Sequence, residues 1–311
     1  MKPCLIVTAN AAEFADQIEK SAEPSIPFRV SKSADKARRM YAGEEILLGN
    51  PGMIAEILAD LPNVRWIQST WAGVTPLIEH ERRDYQLTGV KGIFGPQMSE
   101  YVLGYLLAHE LRISHRTQAQ TNREWFTVHS GMLAGKRLGI MGTGSIGSHI
   151  AATAHAFEMS VTGLSRSGRA TEGFDSVLPT DRIEEFLPQC DHLVATLPQT
   201  AETDRLLDAR TLSLLPDTAV FVNVGRSNVV DDEALVEALQ SGRLAGAVLD
   251  VFDEEPIPAD NSLWDTPNLS ITAHIAAVSH PSLIAPIFID NYRRYSAGTS
   301  MRYQVDFAAG Y

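Results

Sequence analysis

Between residues 138 and 272, short apolar runs alternate with stretches of helix-like periodicity, and this alternation constrains the fold more than any other feature. The runs are LGIMG (138–142), SVTGL (160–164), DHLVATL (191–197), AVFVNV (219–224), GAVLDV (246–251) and LSIT (269–272). Strands that are apolar throughout and separated by helices form parallel sheets covered on both faces. One connecting helix is visible as apolar residues at helical spacing, namely Ile146, Ile150, Ala154 and Phe157. This half is therefore predicted to be a doubly wound α/β domain.

The first part of the chain repeats the theme less clearly. Its apolar runs are CLIVTA (4–9), EILLGN (45–50), RWIQST (65–70) and LTGVK (87–91), and Pro51 fits the first position of a helix. One long helix is predicted over 98–120, with Ser99 as its cap, and another follows His274 in PSLIAPIFIDNYRRYSAG. We expect a discontinuous substrate domain, residues 1–95 plus 282–311, around a dinucleotide-binding domain, residues 96–281, with the chemistry in the cleft between them.

Composition excludes several classes of protein. With 311 residues and 44% hydrophobic content, the chain is long enough for two packed cores. It has no apolar run of about 18 residues and no signal-peptide layout, so a cytoplasmic location is expected. Cys4 and Cys190 lack metal-ligand spacing, and neither a disulfide nor a metal site is predicted. A net charge of −12 argues against nucleic-acid or membrane partners, and an anionic substrate would need a local cluster of positive charge.

A glycine-rich turn, MGTGSIG, lies between a predicted strand and a predicted helix. In that setting the first glycine permits a tight turn, the second lets the backbone approach a pyrophosphate, and the third allows close helix packing. A plain glycine turn is the alternative, but the strand, turn and helix order favours dinucleotide binding. The predicted cofactor-binding residues here are Gly142, Gly144, Ser145, Ile146 and Gly147.

The end of the second strand of this domain bears on the choice of cofactor. An NAD-specific domain usually presents an acidic residue there to the adenosine ribose. This chain instead has Ser165, Arg166, Ser167 and Arg169 around a glycine. Arginine can grip a 2′-phosphate through paired hydrogen bonds, so NADP is predicted, with NAD still possible. The competing interpretation is that Arg166 and Arg169 are solvated loop residues.

Three polar residues follow the last three predicted strands: Arg226, Glu255 and His274. Because ligands of open parallel sheets bind beyond the carboxyl ends of the strands, these side chains are expected to share one pocket. An imidazole can donate a proton near neutral pH, a carboxylate can orient it, and a guanidinium can hold a substrate carboxylate. Taken alone, each could be a surface charge or a core histidine, so the hypothesis depends on their coincidence at one sheet edge.

These residues also carry a family resemblance. The runs NVGRSNVVDDEALVEAL, LDVFDEEPIP, LWDTPNLSITAHIAAVS and MGTGSIG resemble the D-isomer-specific 2-hydroxyacid dehydrogenases, in order and spacing, over essentially the whole chain. The resemblance implies that Arg226, Glu255 and His274 are catalytic. It also implies a Rossmann-like cofactor domain inserted into a flavodoxin-like substrate domain, and a homodimer that pairs through the cofactor domain.

Further site residues follow from the resemblance alone. QSTWAGV is similar to the family loop whose amides meet the substrate carboxylate, which implicates Trp71, Ala72, Gly73 and Val74, although Trp71 could instead be packed in the core. On the cofactor side the resemblance implicates Leu197, Pro198, Thr203, Val224, Gly225, Asp250 and Ala276. Tyr101, Leu103 and Leu106 are predicted as helix core rather than pocket. Ala273 stands where the family commonly has proline.

The segments STWAGV, FGPQMSEY and HIAAVSHP look most like the glyoxylate/hydroxypyruvate reductase branch. The predicted activity is therefore NADPH-dependent reduction of a small 2-keto acid to the D-2-hydroxy acid. Alternatives are an NAD-dependent dehydrogenase of 3-phosphoglycerate or another D-2-hydroxy acid, and a dinucleotide-sensing binding protein without turnover. Formate oxidation is disfavoured, because the related formate enzymes have glutamine where this chain has Glu255.

Overall fold

Two parallel sheets organise the chain, one in each of two structural units. The computed structural model describes residues 1–308. One unit comprises Met1–Ile93 with the described part of Ser279–Tyr311, and the other is Phe94–Val278. The sequence placed these boundaries at 95/96 and 281/282. In the structure the units divide at 93/94 and 278/279, just before two long helices, so that each helix belongs whole to one unit.

The strands are β1 (Cys4–Val7), β2 (Phe28–Ser31), β3 (Ile46–Gly49), β4 (Trp66–Ser69), β5 (Gln86–Thr88), β6 (Arg137–Met141), β7 (Ser160–Ser165), β8 (Ser176–Pro179), β9 (His192–Ala195), β10 (Val220–Asn223), β11 (Gly246–Leu249) and β12 (Leu269–Ile271). The α-helices are α1 (Ala11–Ser21), α2 (Ala34–Met40), α3 (Pro51–Ala55), α4 (Thr75–Ile78), α5 (Gly95–Glu110), α6 (Ile113–Asn122), α7 (Ser145–His155), α8 (Ile183–Phe186), α9 (Ala209–Leu212), α10 (Asp232–Gln240) and α11 (Pro281–Ser296). Within the described residues, the strands of both sheets pair in parallel.

The sheet of the first unit has the order β2-β1-β3-β4-β5. This is the flavodoxin-like order. Its core packs α11 against β4, where the ring of Phe288 stacks on Trp66 with centroids 5.5 Å apart. The buried amides of Asn291 and Gln68 are also hydrogen-bonded, at 3.0 Å. These contacts explain why the C-terminal segment belongs to the first unit.

The sheet of the second unit has the order β8-β7-β6-β9-β10-β11-β12. Counted from β6, this is the doubly wound Rossmann order extended by one strand, with the switch of direction between β6 and β9. The predicted fold class is therefore confirmed. The arrangement places β10, β11 and β12 side by side, so the loops that leave their carboxyl ends are neighbours.

Some local predictions were wrong. The long helix over 98–120 is two helices, because Arg112 adopts a left-handed conformation (φ 55°) between α5 and α6. Ser99 is not a cap: it lies buried inside α5, and its hydroxyl is 2.7 Å from His149 Nδ1. Phe157 lies beyond the end of α7 and is 37% exposed, so it does not extend the buried stripe.

Two strands were missed, β2 and β8. Both lie at the edges of their sheets, and their sequences, FRVS and SVLP, are only partly buried. Edge strands need no continuous apolar run, because one side of each is not covered by a neighbouring strand.

Within residues 1–308, no helix is both long and apolar enough to cross a membrane, and no group of three His, Cys, Asp or Glu residues is arranged to hold a metal ion. Cys4 and Cys190 are free thiols buried in different units. Burial raises the pKa of both thiols, to about 12 for Cys190, so they remain protonated.

Candidate active site

The candidate site lies beyond the carboxyl ends of β10, β11 and β12. The three strands are adjacent and in register, with Asn223 opposite Leu249 and Leu249 opposite Ile271. Arg226, Glu255 and His274 follow β10, β11 and β12 respectively. Neighbouring parallel strands end at the same sheet edge, so the three residues are delivered to one side of the second unit.

His274 and Glu255 form a direct pair. His274 Nδ1 is 2.9 Å from Glu255 Oε2, and the other carboxylate oxygen of Glu255 accepts the amide of Phe252 at 3.0 Å. Because an ionised carboxylate only accepts, Nδ1 carries the hydrogen in this pair. Proton exchange with a bound molecule would then run through Nε2. The side chains of His274 and Glu255 are 41% and 38% exposed, so the pair is accessible to a small ligand.

Arg226 is partly buried at the start of the loop after β10, and is therefore not a fully solvated loop side chain. Desolvation by burial lowers the pKa of its guanidinium, while the negative charge of Glu255 opposes that effect. Nη1 donates to the carbonyl of Gly225 at 2.6 Å. The guanidinium thus lies within electrostatic reach of Glu255, and its remaining N–H groups form a fork suited to a carboxylate.

The turn that carries Arg226 is held by Asn223, the last residue of β10. Its side-chain Nδ2 donates to the carbonyl of Arg226 at 2.9 Å, and its Oδ1 accepts the amide of Gly225 at 3.1 Å. Asn223 is fully buried. It was missed in the sequence, although an asparagine two residues before a glycine is a recognised turn signal.

The turn that carries His274 is held by Asp250. The carbonyl of Asp250 accepts the amide of His274 at 2.8 Å, and its carboxylate accepts the amides of Ile275 (2.8 Å) and Ala276 (2.9 Å). Asp250 is 2% exposed. The structure therefore places this carboxylate inside the turn. The role at the nicotinamide that the resemblance implies stays a prediction.

The glycine-rich turn joins β6 to α7, and its three glycines differ in their surroundings. A Cβ on Gly142 (φ 107°) would lie 2.6 Å from Thr196 Oγ1, and one on Gly147 would lie 2.0 Å from the carbonyl oxygen of Gly142. A Cβ on Gly144 would meet nothing within 4 Å. The first and third glycines are thus required by packing, whereas the second faces open space.

That open space lies at the first turn of α7. Gly144 is the N-cap of this helix and offers no side-chain cap, and Ser145 and Ile146 follow it. Amides in the first turn of a helix lack intrahelical acceptors and, with the helix dipole, favour a phosphate. The residues present therefore fit the pyrophosphate of a dinucleotide.

The loop after β7 carries the predicted 2′-phosphate residues. β7 ends at Ser165, and the amide of Gly168 (φ 62°) donates to the carbonyl of Ser165 at 3.3 Å, which closes a turn. Arg166, Ser167 and Arg169 are exposed on this turn. A pair of exposed guanidiniums at this strand end fits a phosphate better than a ribose hydroxyl.

The other predicted cofactor residues lie in loops of the same sheet edge. Thr203 Oγ1 donates to the carbonyl of Pro198 at 2.7 Å and closes the loop after β9. A Cβ on Gly225 would lie 2.8 Å from the carbonyl oxygen of Leu197, so the loops after β9 and β10 touch. The side chains of Val224 and Ala276 are packed in the core, which leaves only their backbones for a ligand.

The predicted substrate loop lies in the first unit, after β4. Trp71 is 45% exposed, so the interpretation as a core residue was wrong. Its amide donates to Ser69 Oγ at 3.0 Å, and a bound anion would have to compete with that bond. Ala72 is exposed, Gly73 is half-buried, and the side chain of Val74 packs in the core. The substrate-binding role of this loop stays a prediction.

Comparison with known proteins supports the same chemistry. A family model described as "D-isomer specific 2-hydroxyacid dehydrogenase, NAD binding domain" matches residues 103–276. A family protein from Aeromonas salmonicida subsp. salmonicida A449 is 39% identical, with a TM-score of 0.94 over 98% of this chain and 99% of that chain.

Two further solved structures each match over 100% of both chains. A D-isomer specific 2-hydroxyacid dehydrogenase from Xanthobacter autotrophicus Py2, in complex with NADPH and MES, is 30% identical, with a TM-score of 0.88. An NADPH-dependent glyoxylate/hydroxypyruvate reductase from Sinorhizobium meliloti, in complex with NADP and sulfate, is 26% identical, also with a TM-score of 0.88.

Proposed function

Because the chain belongs to the D-isomer-specific 2-hydroxyacid dehydrogenases, which are NAD(P)-dependent oxidoreductases, we propose that it reduces a small 2-keto acid with NADPH to the D-2-hydroxy acid. Glyoxylate and hydroxypyruvate are the proposed substrates. The observation that carries the proposal is the pair of His274 Nδ1 and Glu255 Oε2 at 2.9 Å, which joins the loops after β12 and β11, beside the loop after β10 that carries Arg226.

The proposed mechanism assigns one task to each side chain. The glycine turn and the loop after β7 would hold the nucleotide, which supplies a hydride for the keto carbon when bound. Protonated His274 gives its Nε2 proton to the keto oxygen, so that the carbonyl becomes an alcohol. Glu255 keeps the Nδ1 hydrogen in place and stabilises the imidazolium. Arg226 holds the substrate carboxylate and orients the adjacent keto group.

The preference for NADPH rests on Arg166 and Arg169. Both are exposed at the end of β7, where residues 166–171 include no acidic side chain. The NADPH and NADP complexes of the Xanthobacter and Sinorhizobium proteins support the same choice.

Replacing both Arg166 and Arg169 with alanine is expected to reduce kcat/KM for NADPH by about 10²- to 10⁴-fold, since each of the two charge-assisted hydrogen bonds lost contributes about 1.5–3 kcal/mol. The kcat/KM for NADH should change little. Arg182→Ala, which removes an exposed guanidinium paired with Glu185, is the matched control and should leave both values unchanged. An unaltered NADPH-to-NADH ratio in the double variant, or a wild-type preference for NADH, would refute the assignment.

The substrate is tested by a panel of 2-keto acids assayed with both reduced nucleotides. The proposal predicts the highest kcat/KM for glyoxylate and hydroxypyruvate with NADPH, and formation of the D-product. Oxidation of 3-phosphoglycerate with NAD in preference to these reactions would favour the phosphoglycerate alternative. Tight nucleotide binding without turnover on any member would favour the dinucleotide-sensing alternative.

We also propose that the protein is a homodimer that pairs through the second unit. Large apolar side chains are exposed along one stretch, residues 111–132, within this unit; they are Leu111, Ile113, Trp125, Val128 and Met132. Trp125 is 94% exposed. A concentration of exposed apolar residues in one segment is typical of a protein interface, and aromatic residues and methionine are enriched there.

Trp125→Glu is expected to shift the protein from dimer to monomer, because a carboxylate would be desolvated at the centre of an apolar interface. Sedimentation velocity over a range of concentrations measures the change. Trp264→Glu, which alters a half-exposed tryptophan outside the segment, serves as the control and should leave the dimer intact. A monomeric wild-type protein, or a dimeric Trp125→Glu variant, would contradict the proposal.

A further inference from the structure

A chain of three polar groups links α5 to the turn that carries His274. Tyr101 Oη is 2.5 Å from Thr272 Oγ1, and Thr272 Oγ1 is 2.5 Å from Asp250 Oδ1. We infer that Tyr101 is a positioning residue for His274, acting through Thr272 and Asp250 to fix the turn that presents the imidazole. The inference rests on the proposed function only in taking His274 as the proton donor.

The turn needs outside support. His274 has a φ of 54°, in the left-handed region that residues with a side chain disfavour. Ala273, immediately before it, has no ring to restrict its backbone. Residues 273–275 are exposed, so packing does not immobilise them. A strained conformation persists only where the surroundings over-determine it, and here hydrogen bonds are the means.

Asp250 supplies these hydrogen bonds. Its carbonyl and carboxylate together accept the amides of three successive residues, 274 to 276. The carboxylate must therefore keep one orientation, with Oδ1 towards Ile275 and Oδ2 towards Ala276. Thr272 donates a further hydrogen bond to Oδ1, and this bond opposes rotation of the carboxylate.

The number of hydroxyl hydrogens determines which group donates in each of the two hydrogen bonds between Tyr101, Thr272 and Asp250. Thr272 has one hydroxyl hydrogen, and it is donated to a carboxylate that only accepts. Tyr101 must therefore donate to Thr272 Oγ1. Desolvation by burial raises the pKa of the Tyr101 hydroxyl well above its usual range, with the bond to Thr272 opposing that effect. The hydroxyl thus stays protonated, and Tyr101 stays a donor, throughout the working pH range.

Tyr101, the first residue of this hydrogen-bond series, lies on α5, a helix that is firmly packed. Val102, Leu103 and Leu106 bury α5 in the core of the second unit, and the ring of Tyr101 lies against Tyr105 with centroids 4.8 Å apart. Leu103 and Leu106 are thus core residues, as predicted. Tyr101 was assigned to the core as well, and that prediction overlooked its hydroxyl, which reaches a residue 171 positions away.

Tyr101→Phe removes only the hydroxyl and tests the inference. We expect kcat for ketoacid reduction to fall by about tenfold, because a small misplacement of the imidazole is enough to slow proton transfer. The KM for NADPH should stay unchanged. Hydrogen exchange of the amides of residues 274–276 should become faster, since the turn opens more readily.

Thr272 provides the test of connectivity. Thr272→Val should lower kcat at least as much as Tyr101→Phe, and Thr272→Ser, which keeps the hydroxyl, should restore it to near the wild-type value. If Tyr101 acts through Thr272, then adding Tyr101→Phe to Thr272→Val should cause no further loss. Independent, multiplying losses in the double variant would overturn the inference.

Tyr292→Phe is the matched control, since it removes a partly buried hydroxyl that donates to the carbonyl of Lys2, and both residues belong to the first unit. It should leave kcat and the exchange of residues 274–276 unchanged. If Tyr101→Phe behaves like this control, Tyr101 does not position His274. The two proposals fail in different ways: a wild-type protein without turnover refutes the proposed function, while the exchange measurement still tests Tyr101.

Discussion

Replacing His274 with alanine is expected to lower kcat for 2-keto acid reduction by about 10²- to 10⁴-fold, the usual contribution of a positioned general acid. The residual rate should exceed zero, because Arg226 and the nucleotide site would still bring the reactants together. NADPH binding, measured by titration of nucleotide fluorescence, should change little, since the imidazole is paired with Glu255 rather than with any residue of the glycine turn.

A variant of Glu255 tests whether this carboxylate acts on the reaction through His274. Glu255→Gln replaces a carboxylate that fixes the Nδ1 hydrogen with a neutral amide, so kcat should fall, but less than in His274→Ala. The double variant should be no slower than His274→Ala alone, because Glu255 acts on the reaction through the imidazole. His280→Ala, which removes an exposed histidine from the N-cap of α11, is the control and should retain full activity. Additive losses in the double variant would show that the two side chains do not work as a pair.

Arg226→Ala is expected to reduce kcat/KM for the keto acid by about 10²- to 10³-fold, because truncating one partner of a charge-assisted pair costs about 2–5 kcal/mol. The Kd for NADPH should stay within about twofold, because the binding determinants assigned to the nucleotide phosphates are elsewhere on the sheet edge.

Arg226→Lys is the matched comparison. It keeps the positive charge opposite Glu255 but replaces the planar fork with a single ammonium, so activity should lie between those of wild type and Arg226→Ala. Equal losses in ketoacid turnover and NADPH binding would mean that Arg226 supports the loop after β10 as a whole. That outcome would remove its assignment to the substrate carboxylate.

Much of the fold was predictable, for a physical reason. The strands of both sheets that are buried on both faces appear in the sequence as continuous apolar runs, and their alternation with helices requires parallel order. The edge strands β2 and β8 carry no such run, and they were missed. The break at Arg112 was missed too, because a single left-handed residue leaves little trace in the apolar periodicity.

For the candidate site, the sequence predicted the residues at the strand ends but not the residues that hold them in position. The strand order alone brings Arg226, Glu255 and His274 to one edge, and the glycine turn adds a place for phosphate. The residues that hold these groups in position were not found. Asn223 and Thr272 are ordinary polar residues at strand ends, and the bond from Tyr101 to Thr272 joins two residues that only the folded chain brings together. Sequence periodicity carries information about burial, whereas it carries none about individual hydrogen bonds across the fold.

We propose that the pair of His274 and Glu255, together with Arg226, catalyses the reduction of a small 2-keto acid by NADPH. The most direct test is NADPH consumption by the wild-type protein with glyoxylate and with hydroxypyruvate, alongside chiral analysis of the glycerate formed from hydroxypyruvate. We expect rapid NADPH oxidation in step with formation of the D-enantiomer, and loss of both in His274→Ala. Nucleotide binding without oxidation, or an undiminished rate in His274→Ala, would contradict it.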